Sequence, residues 1–257
     1  MTDALTLGHS VLTKRGFSRI YLTDELSLDQ LDALLAQPGE PLKSHHKRHV
    51  RRVEAYLIKE SLLGWGLGMI RHTFQRSRYR RAWTASHYLR DHGIGAPRPV
   101  AFVEKRFAGI IAGNLLVSEF LENYRNVEDF LYALIQRGAG RDTIMSFLLD
   151  LAAAVNQLPE VNAYHADLSG KNIFTRDGKH FVFIDLDAVE LNRSYDDALR
   201  LKNHVQLYDS FCDLLNDTML VPFLERMLPP HLDPRVWMPK VRKAQRHRRS
   251  RTEARGK

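Results

Sequence analysis

One stretch of this chain restricts what it can fold into more than any other: Tyr164-His165-Ala166-Asp167-Leu168-Ser169-Gly170-Lys171-Asn172. It is a polar loop set between apolar runs. Ile173-Phe174 and Phe181 to Ile184 follow it and flank Asp177-Gly178, a pair that favours the tight turn of a β-hairpin. The hairpin folds the chain back, so that Asp185 in Phe183-Ile184-Asp185-Leu186-Asp187 returns beside Asn172. Two carboxylates and an amide are gathered in this way from one short segment. Phosphoryl transfer from a nucleotide asks for such a set: a carboxylate to orient the accepting hydroxyl, and hard oxygen ligands to hold Mg²⁺ against the phosphates. Asp167 suits the first task, and Asn172 and Asp185 suit the second. The bland reading is a polar turn in which Asp and Asn cap nearby backbone groups. Either half of the pattern alone leaves that reading competitive; both halves, in order and joined by a hairpin, argue against it.

Around this segment the chain changes character. Phe17 to Leu22, Val53 to Lys59, Val100 to Val103 and Leu115 to Leu121 are short apolar runs expected to form strands. Arg78 to His92 has helical spacing through Ala82, Ala85, Tyr88 and Leu89, and stops at Gly93. Ala96-Pro97-Arg98-Pro99 breaks any helix before the next strand. From there on helices are expected over Val127 to Gln136, Ile144 to Leu158, Asn203 to Leu220 and Val221 to Met227. The expected fold is α+β with two lobes and a cleft between them. A strand-rich N-terminal lobe covers residues 1–121 and a helical catalytic lobe residues 122–239. A basic tail, residues 240–257, is expected to be disordered.

His165-x-Asp167-Leu168-x-x-x-Asn172, with Asp185 after the hairpin, resembles the catalytic loop and second metal-binding Asp of the protein-kinase superfamily. The resemblance implies a two-lobed kinase-like fold, ATP and Mg²⁺ as cofactors, Asp167 as the catalytic base, and Asn172 and Asp185 as metal ligands. It also implies that Lys59, at the end of Arg51-Arg52-Val53-Glu54-Ala55-Tyr56-Leu57-Ile58-Lys59, pairs with the nucleotide phosphates. Ser118-Glu119-Phe120-Leu121 resembles the segment between the lobes, whose backbone at Glu119 and Leu121 would bond adenine. A wider similarity, from Arg48 to Val189, is to the bacterial lipopolysaccharide core kinases, which phosphorylate Kdo or heptose. It is carried by Arg51-Arg52, by Arg80-Arg81-Ala82-Trp83, by Gly93-Ile94-Gly95-Ala96-Pro97, by His165-Ala166-Asp167-Leu168 and by Ile184-Asp185-Leu186-Asp187. The function implied is ATP-dependent phosphorylation of a sugar hydroxyl of the lipopolysaccharide inner core. The alternatives are a nucleotide-binding scaffold without activity, or a kinase for another small molecule such as an aminoglycoside or choline.

The chain departs from these patterns in places. Ala82 stands where the family usually has the Glu that pairs with the lysine, and Glu60, next to Lys59 in a strand, points to the opposite face. No glycine-rich loop precedes Lys59; Gly64-x-Gly66-x-Gly68, with Trp65, follows it and is read as a flexible connection. Leu186-Asp187 replaces the Phe-Gly of protein kinases, as in the sugar-kinase branch, and the lack of an Ala-Pro-Glu segment speaks against a protein substrate. His45, His46 and His49 have no cysteine beside them and are read as a solvated loop. Arg76, Arg78, Arg80 and Arg81 are read as an exposed helix face, with lipid A phosphates as a possible meeting point.

Charge and cysteine content bound the partners. The single Cys212 precludes an internal disulfide and fits a reducing compartment. No apolar stretch is long enough to span a bilayer. The formal net charge of +8 is held by the tail from Lys240 to Lys257, where nine Lys or Arg face Glu253 alone. Such a tail is attracted to an anionic membrane surface, by about 1 kcal/mol per basic residue, and nucleic acid would attract it equally well. The expected location is cytoplasmic, peripheral on the inner face of the inner membrane, where a lipid-linked sugar acceptor would be met.

Overall fold

The computed structural model describes residues 11–15, 18–45, 48–62, 77–107 and 110–255. The Gly64-Gly66-Gly68 run, Trp65, His46 and Arg76 lie outside them. The chain divides into two compact units, Met1–Glu122 and Asn123–Lys257.

The N-terminal unit is one antiparallel sheet of seven strands in the order β1-β2-β6-β7-β5-β4-β3. The strands are β1 (Val11–Arg15), β2 (Ser18–Leu22), β3 (Glu40–His45), β4 (Arg48–Val53), β5 (Tyr56–Leu62), β6 (Pro99–Phe107) and β7 (Ile110–Glu119). Alternation along them sorts side chains to two faces. One face carries Ile20, Leu22, Ile58, Val103, Leu115 and Val117, packed against Leu31 and Leu34 of helix α1 (Leu28–Ala36). The other carries Phe102 and Leu116 and meets α2 (Arg78–Asp91), whose Trp83 ring lies 6.3 Å from that of Phe102.

Local chemistry sets the ends of these elements. Ser27 and Gln30 form a reciprocal capping box that starts α1. Arg51, reaching over from β4, donates to the carbonyls of Leu35, Gln37 and Pro38, and so caps the other end of α1. Helix α2 ends where expected: Gly93 has φ +76°, and Ile94 N–H returns to Leu89 O at 2.8 Å.

Three expectations for this unit need correction. Val53 to Lys59 is not one strand. Glu54 takes φ +53° and the chain turns there, so Val53 ends β4 and Lys59 sits in the middle of β5, between Val50 and Leu116. The side chain of Glu54 secures the turn by accepting from Gln37 Nε2 at 2.9 Å. His45 and His49 belong to the β3–β4 hairpin rather than to a loop, and His49 Nδ1 bonds Ser44 Oγ at 3.1 Å. On α2, Arg81 is exposed as expected, while Arg78 and Arg80 are half-buried.

The C-terminal unit is mainly helical: α3 (Val127–Gln136), α4 (Arg141–Glu160), α5 (Asp197–Phe211), α6 (Asp217–Glu225) and α7 (Pro234–Arg255). Two small sheets complete the unit, β11-β10-β8 and β12-β9; β8 precedes α3, and the other four strands lie between α4 and α5. Here β8 is Arg125–Asn126, β9 Ala163–His165, β10 Ile173–Thr175, β11 Phe181–Phe183 and β12 Val189–Leu191. The expected helix from Asn203 to Leu220 is broken: α5 ends at Phe211, and Asn216 opens a second helix by accepting from Met219 and Leu220 N–H at 3.1 Å.

The largest correction is the tail. Residues 240–255 are not a disordered extension but continue α7, which packs on α5. Trp237, Met238, Val241 and Gln245 recur at helical spacing and are buried. Trp237 Nε1–H donates to Nδ1 of the buried His204 at 2.8 Å. A nitrogen that accepts cannot also carry a proton, and burial, helped by the charge of Arg200, pushes this imidazole down to about 3 from 6.5. The unfolded chain takes up a proton at this position that the folded one refuses, so stability is lost as pH falls from about 6.5 towards about 3. His204→Gln keeps an acceptor for Trp237 without the titration. Urea unfolding followed between about pH 7 and pH 4 should show a shallower acid limb in that variant; parallel profiles would contradict the assignment.

Candidate active site

The loop from His165 to Asn172 is held by its own side chains and by α5. Strand β9 brings in His165, fully buried, with Val189 of β12 opposite it. The imidazole joins the two halves of the motif. Its Nδ1 accepts from Asp167 N–H at 3.2 Å, and its Nε2 faces Ile184 O at 2.9 Å. With Nδ1 accepting, the proton sits on Nε2 and is donated to Ile184. Burial holds the pKa of His165 below the usual histidine value, which keeps the ring neutral.

Asp167 is exposed. Asn172 Nδ2 donates both to its carbonyl, at 2.9 Å, and to its Oδ2, at 3.0 Å. One carboxylate oxygen is thereby oriented and the other is turned to whatever approaches. The backbone of Asn172 accepts from Ile184 N–H at 2.9 Å, and Ile173 pairs with Phe183 across the hairpin. Asp185 therefore stands beside Asn172, as its place after the hairpin leads one to expect. Asp185 has φ +55°, in the left-handed region that few residues other than glycine and Asn or Asp visit.

The donor set here suits Mg²⁺. The nitrogen of the Asn172 amide is spent on Asp167, which leaves its oxygen to ligate, and Asp185 adds a carboxylate. Hard oxygens are what Mg²⁺ takes, with water filling the remaining positions. Among the described residues no group of three or more His, Cys, Asp or Glu is placed to hold a metal ion.

Residues that sequence reasoning missed hold the loop from behind. Gln206 on α5 accepts from Leu168 N–H at 3.1 Å and donates to Ala166 O at 2.9 Å, so it grips the backbone on both sides of Asp167. Asn203, one turn earlier, donates to His165 O at 2.9 Å and to Gln206 Oε1 at 3.0 Å, and accepts from Tyr195 OH at 3.1 Å. Ser210 Oγ accepts from Gly170 N–H at 2.9 Å. A Cβ on Gly170 would lie 2.6 Å from Glu128 Cγ of α3, so a larger residue here would require the Glu128 side chain to shift. The spacing Asn203-x-x-Gln206-x-x-x-Ser210 was the available signal: polar residues on one helical face, in a chain that needs a partner for its loop.

The other expected site residues lie in the N-terminal unit. Lys59 on β5 shares a sheet face with Phe102, Glu104 and Leu116, while Glu60 points to the opposite face and pairs with Lys105 at 2.7 Å. Ala82 is buried in α2, and a carboxylate on the face that Lys59 occupies is Glu104, 1% exposed and bound to Arg106 at 3.1 Å. Glu119 ends β7. Its carboxylate accepts from Arg98 N–H at 2.7 Å and lies 3.9 Å from Arg90. Phe120 N–H is taken by Ala55 O at 2.7 Å, whereas no described residue bonds Leu121 N–H. Arg52 braces this segment by pairing with Glu122 at 2.9 Å and stacking 4.2 Å from the Phe120 ring.

A family model for the lipopolysaccharide kinase (Kdo/WaaP) family matches residues 38–223. The chain belongs to this family. It is accordingly a kinase, a transferase acting in lipopolysaccharide biosynthesis. Among solved structures, "WaaP in complex with acyl carrier protein" matches with a TM-score of 0.64 at 17% identity, covering 84% of this chain and 91% of that one. That likeness shows the kinase-like fold, with its strand-rich N-terminal sheet and helical C-terminal part. Two structures of WbdD, one of them described as a bifunctional kinase-methyltransferase, match at 16% identity and a TM-score of 0.47. They cover 81% and 77% of this chain, and 51% and 47% of their own. No curated protein matches the chain.

The grip of Gln206 on both flanks of Asp167 has a kinetic consequence for a Kdo/WaaP kinase. Gln206→Leu leaves Leu168 N–H and Ala166 O unpaired, which frees the loop to shift. Steady-state assays should show kcat reduced by about 10- to 100-fold with KM for the nucleotide within about 2-fold. Gln206→Glu, which still accepts from Leu168, should lie between. Equal losses in kcat and in folded fraction would show a merely structural role.

Proposed function

We propose that this kinase transfers the γ-phosphoryl group of ATP to a sugar hydroxyl of the lipopolysaccharide inner core, on Kdo or heptose. The observation that carries the reading is the exposed Asp167 carboxylate, oriented by Asn172, with Asp185 returned beside Asn172 by the hairpin. In this reading the hydroxyl oxygen attacks the γ-phosphorus, its proton passes to the Asp167 carboxylate, the bond to the β-phosphate oxygen breaks, and ADP leaves. Asn172 and Asp185 would hold Mg²⁺, which when bound supplies positive charge to the phosphates. Lys59 would pair with the phosphates, and the backbone at Glu119 and Leu121 would bond adenine. The Glu119 carboxylate is engaged by Arg98 N–H at 2.7 Å, so the contact with adenine would fall to the backbone. The lipid-linked acceptor places the protein at the cytoplasmic face of the inner membrane.

The family description supports the lipopolysaccharide acceptor. The kinase for a cationic small molecule has less support, because the family description names a lipopolysaccharide kinase.

Asp167→Asn keeps the contact with Asn172 and removes the proton acceptor. The variant should retain its far-UV circular dichroism and its thermal stabilisation by Mg²⁺ and ATP, while phosphate transfer to rough-type core falls by at least about 100-fold. Transfer at near wild-type rate would make Asp167 the wrong base. Absence of nucleotide-dependent stabilisation in both proteins would favour a scaffold that binds no nucleotide.

A further inference from the structure

We infer that the outward face of α7 is an electrostatic docking surface for an anionic lipid bilayer. The helix sorts its cations into two sets. Arg242 and Arg249 flank the buried stripe and are neutralised there: Arg242 by Asp217 at 2.8 Å, and Arg249 by Asp209 at 2.6 Å and Asp213 at 2.9 Å. Arg248 reaches Asp209 at 3.9 Å. The second set, Lys240, Lys243, Arg246 and Arg251, is exposed and has no carboxylate partner among the described residues. Over these positions the only acidic residue of the helix, Glu253, lies beyond the last of them.

The pinned set fixes the presentation of the free one. Clamped by Asp209 and Asp213 at and just beyond the α5 end, and seated on Trp237, Met238, Val241 and Gln245, α7 holds its outward cations along about 17 Å of helix. A cation row that is already ordered loses little conformational freedom on meeting a surface, unlike a disordered tail. At about 1 kcal/mol per basic residue, four such cations give a binding that is firm in low salt and screened in high salt.

The choice of a bilayer over nucleic acid rests on what the face lacks and partly on the lipopolysaccharide reading above. Single-stranded nucleic acid is held by aromatic rings interleaved with basic groups. Trp237, the aromatic residue of α7, is buried, and the large apolar side chain exposed at this end is Val236. An ordered, aromatic-free face of cations fits a flat anionic surface. Among the described residues no helix is long and apolar enough to cross a membrane, so the contact is with headgroups.

The test is sedimentation of the full chain with phosphatidylcholine vesicles, with and without phosphatidylglycerol, in the absence of nucleotide. Binding is expected only with phosphatidylglycerol, and is expected to be lost on adding salt. The quadruple variant Lys240→Gln, Lys243→Gln, Arg246→Gln, Arg251→Gln, with unchanged melting temperature, should bind at least about tenfold more weakly. Equal binding to phosphatidylcholine alone, undiminished binding by the variant, or binding to duplex DNA with none to vesicles would overturn the proposal. The variant should also phosphorylate delipidated core oligosaccharide at the wild-type rate; a slower rate would assign these residues to the acceptor site instead. If neither protein transfers phosphate, the functional reading fails and the vesicle result still decides the docking surface.

Discussion

A neutral, buried imidazole is the joint on which the candidate site depends. His165 accepts a hydrogen bond from the Asp167 N–H on one side and donates one to the Ile184 carbonyl on the other, so it ties the loop before the hairpin to the segment that ends it. A protonated ring would offer Nδ1 as a second donor facing the Asp167 N–H, and the joint would open. Burial disfavours that state. Asn172 closes the same ring of contacts from the solvent side, through Asp167 by its amide and through Ile184 by its carbonyl. The three site residues of the C-terminal unit are thus positioned by one short segment, with little demand on distant packing.

What distant packing does supply comes from α5. Asn203, Gln206 and Ser210 meet loop backbone groups that would otherwise be buried without partners. Further along the same helix Asp209, with Asp213 just beyond it, receives Arg249 of α7. One helix therefore serves the loop with its amides and the C-terminal helix with its carboxylates. The proposed chemistry and the proposed membrane contact share this support while using different residues.

The legible parts of the chain were those where spacing or turn chemistry acts locally. The His165–Asn172 pattern, the Asp177-Gly178 turn, α3 and the Gly93 stop of α2 all rest on interactions within a few residues. Glu54-Ala55 carries no glycine, proline or asparagine, so the turn that divides β4 from β5 left no mark, and Lys59 was read at a strand end rather than in its middle. The tail misled for a different reason. Its composition is that of a solvated chain, yet Trp237, Met238, Val241 and Gln245 recur at helical spacing, and the acids that neutralise Arg242 and Arg249 come from other elements. Gln206 and Asn203 went unread because buried amides on a helix are recognised only once their backbone partners are known.

The Asp167, Asn172 and Asp185 segment is proposed to serve phosphate transfer to a sugar of the lipopolysaccharide core. The direct measurement is incubation of the purified chain with γ-labelled ATP, Mg²⁺ and rough-type lipopolysaccharide, followed by fragmentation to locate the label. Label is expected on a hydroxyl of an inner-core Kdo or heptose. Label confined to added protein or to a cationic small molecule, with none on the core, would contradict it.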